Sequence, residues 1–131
     1  MTELYNIGLS DDTINYMIEI NPSINDMDDD EILDKKNLLK EYNCSDIEIA
    51  NIIGSNPNIL SRTNEEIYKI VECLKKYGFS ELNILFDSNP DILNLDCFEV
   101  DNYINNKKKS GMELDDIIDE LDTKPYLFDE M

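Results

Sequence analysis

Histidine and tryptophan are absent from this 131-residue sequence, and glycine, proline and cysteine are scarce, at four, four and three. Without histidine there is no imidazole to act as general base, triad member or metal ligand. The four glycines form no phosphate-cradling loop. Carboxylates are so abundant that no pair of them stands out as acid–base machinery. The chain is therefore expected not to be an enzyme, to have no catalytic residues and no cofactor, and to hold no metal. Positive charge is also short: 11 Lys+Arg stand against 30 Asp+Glu, a net charge of −19. Such a field repels polyphosphate and anionic lipid and favours a basic partner. No apolar run approaches the roughly 20 residues that span a bilayer. The first residues, Met1 to Asn6, carry neither a basic segment nor an apolar one, so they resemble no secretion signal or Arg-rich transit peptide. Cys44, Cys73 and Cys97 are odd in number, lie 29 and 24 residues apart and form no CxxC pair. That pattern predicts reduced thiols in the cytoplasm and speaks against zinc.

What the chain does have is a repeat. Ser55-Asn56-Pro57-Asn58-Ile59-Leu60 returns as Ser88-Asn89-Pro90-Asp91-Ile92-Leu93, with fainter copies around Pro22 and Pro125. The four prolines stand 35, 33 and 35 residues apart. A period of this size marks stacked helical hairpins. Counted from each proline, the same residue types recur. Fourteen before stand Gly8, Asn43 and Gly111, with Gly78 twelve before in the shorter third unit. Gly and Asn tolerate positive φ and so end a helix. Ser10, Ser45, Ser80 and Glu113 follow as N-cap candidates. Eight, five and four before the proline come Ile14/Met17/Ile18, Ile49/Ile52/Ile53, Leu82/Leu85/Phe86 and Ile117/Glu120/Leu121. These offsets share one helical face.

The proline ends this first helix, because the preceding residue avoids the α region. Asp28, Thr63 and Asp96, each three residues before a Glu, then cap a second helix. Its stripe is most apolar in the middle unit (Ile67, Ile70, Val71, Leu74) and is broken by Lys35, Lys36 and Lys107 in the outer ones. The expected fold is an all-α solenoid of about seven helices and 3.5 repeats. It forms one helical-repeat domain, 1–131, with units near 5–41, 42–76, 77–110 and 111–131. The polar faces of the first and last helices suit end caps, and the chain is expected to be complete.

Lysines recur where the second helices end: Lys40, Lys75 with Lys76, and Lys107 with Lys108 and Lys109. One reading is cations placed at helix C-termini, worth a few tenths of a kcal/mol each. The other is a ligand edge that tracks phosphates or an acidic partner; the −19 field favours the first. The acidic run Asp26 to Glu31 starts like a calcium loop. It has Glu31 where such a loop needs Gly and Asn37 where it needs Glu, so it reads as a solvated turn. Tyr68, Tyr77, Phe98 and Tyr103 offer aromatic surface to a partner or to the core.

Lys75-Lys76-Tyr77-Gly78-Phe79-Ser80, an aliphatic stripe, and then Asn89-Pro90-Asp91-Ile92-Leu93 resemble the repeat of the mitochondrial transcription termination factor (mTERF) family. Tyr42-Asn43-Cys44-Ser45 through Asn56-Pro57-Asn58-Ile59-Leu60 is similar, with Asn in place of the glycine. The resemblance covers nearly the whole chain. It implies an all-α curved solenoid that binds DNA or RNA along a basic groove. The sequence departs from that family in being short, acidic and without a transit peptide. The residues themselves favour a non-catalytic module binding a protein or peptide, preferably basic, in the cytoplasm and away from membranes. The alternative is mTERF-like nucleic-acid binding along the lysine edge. A third reading is an acidic mimic of nucleic acid.

Overall fold

The computed structural model describes residues 2–131. Among these residues eight α-helices alternate with four 3-10 turns and there is no strand, so the fold is all-α and built of helical repeats. Each of Pro22, Pro57, Pro90 and Pro125 opens a 3-10 turn. The residue before each one is kept out of the helical region, with φ between −126° and −146° and ψ between 71° and 85°, because the proline ring disfavours the α conformation there. The four prolines are thus equivalent corners. The chain divides into two compact units, Met1–Asn64 and Glu65–Met131.

The first unit holds α1 (Thr2–Ile7), α2 (Asp11–Ile20), a turn at Pro22–Asp26, α3 (Asp29–Glu41), α4 (Asp46–Ser55) and a turn at Pro57–Leu60. The helix count exceeds the seven expected because α1 is a helix of its own, packed on α3 and α4. It has no proline corner before it to announce it. Its end is nonetheless written in the sequence. Gly8 has φ 105°; its N–H bonds to the Tyr5 carbonyl, and that of Leu9 to the Leu4 carbonyl. This is a Schellman closure, which satisfies the last carbonyls of a helix and turns the next apolar residue inward. The end of α3 repeats it with Asn43 (φ 68°) and Cys44. Ser10 and Ser45 cap α2 and α4, and Ser45 forms a full capping box with Glu48. Ile14, Met17, Ile24, Ile32, Leu39, Ile49, Ile52, Ile53 and Ile59 fill the interior. Each removes a side chain worth about 1.5–3 kcal/mol from water.

The second unit takes α5 (Asn64–Tyr77) from Glu65 onward. It continues with α6 (Leu82–Ser88), a turn at Pro90–Asn94, α7 (Cys97–Lys109), α8 (Leu114–Thr123) and a turn at Pro125–Glu130. Gly78 and Gly111 close α5 and α7 in the same way. Asp96 caps α7 in a capping box with Glu99. The expectation for Ser80 fails: Glu81 takes the N-cap position of α6, without a side-chain bond. The stripe Leu82, Leu85 and Phe86 keeps its distance from Pro90 and is buried. The two residues missing from this unit are therefore lost from the start of the helix, and Ser80 falls outside its first turn. Phe79 and Phe128 meet with ring centroids 5.9 Å apart.

Candidate functional site

The lysines singled out from the sequence sit where helix ends put them, in the last turns of α3, α5 and α7. Several are already tied to carboxylates or rings of their own unit. In the first unit Lys40 Nζ lies 3.6 Å from Asp46 Oδ1, and Lys36 Nζ lies 3.8 Å from Glu3 Oε1. In the second, Lys75 Nζ lies 3.5 Å from Glu72 Oε1, and Lys107 Nζ sits 5.4 Å from the centre of the Tyr103 ring. Lys76, Lys108 and Lys109 are exposed. Lys35 is different. Its buried Nζ donates to Asn64 Oδ1 at 2.7 Å, while Asn64 Nδ2 donates to Asp34 Oδ2. A lysine on the core stripe is thereby satisfied.

The acidic run at Asp26 to Glu31 is used as turn and cap. The Asp28 side chain accepts the Glu31 amide. Asp29 accepts the Glu3 amide, which holds its carboxyl below the usual carboxylate range. Of the aromatics, Tyr68 and Phe98 are exposed, whereas Tyr77 and Tyr103 are half-buried.

Three features were not evident from the sequence. The asparagine before a corner proline is a structural donor. In the first unit Asn21 Nδ2 reaches the Pro57 carbonyl (3.1 Å) and Ser61 Oγ (2.8 Å). In the second, Asn89 Nδ2 reaches the Pro125 carbonyl (3.0 Å) and Asp129 Oδ1 (3.0 Å). The Asn-Pro pair itself was the only signal for this.

The second feature is a groove of about 560 Å³ between α2 and α4, with Asp12 and Tyr16 on one wall and Asn51 and Ser55 on the other. Gly54 lines it too, and a Cβ there would stand 3.2 Å from both Leu9 Cδ2 and Thr13 Cγ2. The small residue lets the two helices approach.

The third corrects the reading of three reduced thiols. Cys73 and Cys97 are joined in a disulfide between α5 and α7, with Cα atoms 5.8 Å apart, while Cys44 is buried and takes no part in that bond. Distance along the chain concealed that the repeat brings α5 and α7 side by side at this point. One turn further on, Tyr77 donates its hydroxyl to Asp101 Oδ1, and the other oxygen of Asp101 lies 3.7 Å from Cys97 Sγ. Burial, then the hydrogen bond to Asp101 and its charge, push the Tyr77 phenol up to about 12.

No helix among the described residues is long and apolar enough to cross a membrane. No curated protein matches the sequence. The sequence model of the mTERF family matches residues 2–121. With a proline opening a 3-10 turn after an aliphatic-striped helix at each of the four corners, this chain belongs to the mTERF family.

Proposed function

We propose that the chain is a non-catalytic interaction module whose ligand is a basic protein segment. The observation that carries this reading is the engagement of its cations. A phosphate track needs lysines free to release counterions, yet Lys40 and Lys75 stand against Asp46 and Glu72, and Lys107 covers Tyr103. The rest of the surface belongs to a chain of net charge −19, a field that draws in lysine- and arginine-rich segments and repels nucleic acid. The α2–α4 groove supplies a seat for one such side chain, with Asp12 and Tyr16 both among its lining residues. A cation between a carboxylate and an aromatic face gains from both.

Membership of a family that usually binds nucleic acid, together with exposed Lys76, Lys108 and Lys109, favours the second reading, DNA or RNA held at those helix ends. Fluorescence anisotropy separates the two. Equal-length probes are used: an Arg/Lys-rich peptide, duplex DNA and single-stranded RNA, each at low and high salt. The expected result is binding of the peptide alone, weakened by salt and by Asp12→Asn. Binding of nucleic acid that Lys75→Glu, Lys76→Glu, Lys108→Glu and Lys109→Glu together abolish would overturn it. Competition of DNA with this protein for one basic partner would make it an acidic mimic.

A further inference from the structure

We infer that Cys73, Cys97 and Asp101 form a binding site for a thiophilic divalent cation of the zinc class, open when the two cysteines are reduced and closed by their disulfide. This goes beyond the interaction function and does not rest on it. The three donors come from two helices and converge: one sulfur from α5, one sulfur and one carboxylate oxygen from α7, all within 4.8 Å of one another.

The spacing suits the ion. With Zn–S near 2.3 Å and Zn–O near 2.0–2.2 Å, a tetrahedral site has a sulfur–oxygen edge of roughly 3.5 Å and a sulfur–sulfur edge of roughly 3.8 Å. Cys97 Sγ and the Asp101 oxygen that faces it are already 3.7 Å apart. Cys97 and Asp101 are four residues apart on α7, so one helical face presents both. Once the disulfide is reduced, the two sulfurs rest at non-bonded separation, which is about the second edge.

The surroundings are those of a supported site. Tyr77, four residues after Cys73 on α5, donates its hydroxyl to Asp101 Oδ1. That bond orients the carboxylate and leaves its second oxygen directed at the sulfur. Cys73 is buried while Cys97 and Asp101 are half-exposed, so the fourth position opens to water. The chain's negative field raises the local concentration of cations. Two thiolates select zinc-class ions over magnesium or calcium, which prefer oxygen.

The chemistry balances with a dithiol reductant. The reductant gives two electrons and two protons to the Cys73–Cys97 bond and becomes a disulfide itself. The two thiols then lose their protons to solvent as the cation takes the thiolates. Oxidation reverses the sequence and expels the ion.

The test uses the full chain, reduced with a dithiol or oxidised with diamide, and titrated with Co²⁺ and then Zn²⁺. The expected result for the reduced protein is one equivalent bound, with thiolate-to-cobalt charge transfer and the intense visible bands of a tetrahedral ion, displaced by zinc. The oxidised protein, with the same acidic surface, gives neither signal. Cys97→Ser and Asp101→Asn each weaken zinc binding about tenfold or more, while Cys44→Ser leaves it unchanged. A reduced protein that binds no tighter than the oxidised one, or an octahedral cobalt spectrum, overturns the site. Failure of diamide to link Cys73 to Cys97 overturns the gating. Because reduced and oxidised wild type are compared directly, a variant that fails to fold does not affect the outcome.

Discussion

The two units solve the same problem with different chemistry. Each contains a proline corner whose asparagine reaches the next proline's carbonyl, 36 residues on. In the first unit the second acceptor is the Ser61 hydroxyl; in the second it is the Asp129 carboxylate. The first unit has serine-capped helices and close α2–α4 packing over Gly54. The second has a seven-residue α6 with no side-chain cap, and in its place a disulfide and an aromatic contact. The shared corner and aliphatic stripe are what the repeat demands. The remaining devices differ, so local helix signals and long-range cross-links can substitute for one another.

The largest way to break that comparison is to remove the disulfide. Closing a loop of 24 residues contributes roughly 3.5 kcal/mol at 25 °C on the chain-entropy account. Reduction, or Cys73→Ser, is expected to lower urea-unfolding stability by about that amount. Amide exchange should locate the loss in α5 and α7, with the amides of residues 2–64 little changed. Next come the corners. Asn89→Ala strands the Pro125 carbonyl and a carboxylate, and should cost about 3 kcal/mol; Asn21→Ala, facing a hydroxyl, should cost about 2 kcal/mol. Equal losses measured by thermal unfolding would erase that difference between the units. The smallest effect is at the caps. Ser45→Ala is expected to cost about 1 kcal/mol, while Ser80→Ala should stay within a few tenths of a kcal/mol, because Ser80 caps nothing. Circular dichroism melts of the two variants check this.

Periodicity made the corners, the buried stripes and the helix ends legible, because each depends on residues within one or two turns. Gly8, Asn43, Gly78 and Gly111 all adopt the positive φ that their residue types suggest. Ser80 was misread because a cap depends on where the helix begins. The packing of Leu82, Leu85 and Phe86 decided that, not the serine. The lysines were legible as helix-end cations, but their partners Asp46 and Glu72 were not singled out. Neither the Cys73–Cys97–Asp101 cluster nor the Asn21 and Asn89 bonds could be read, because both join residues 24 to 40 positions apart. Only the finished fold fixes which of many distant pairs meet. The one hint was that Cys73 and Tyr77, like Cys97 and Asp101, share a helical face at a spacing of four.

The reach of the corner asparagine also acts as a gauge of repeat length. A residue inserted into α7 or α8 would rotate everything after it by roughly 100° and swing the Pro125 carbonyl away from Asn89. The side chain would then be left buried with no acceptor. Lengthening is tolerable only where extra residues can loop outward without turning a helix. The shorter interval, 33 residues from Pro57 to Pro90, fits this rule, because its two residues are lost at the start of α6 and the stripe that leads into Pro90 keeps its register.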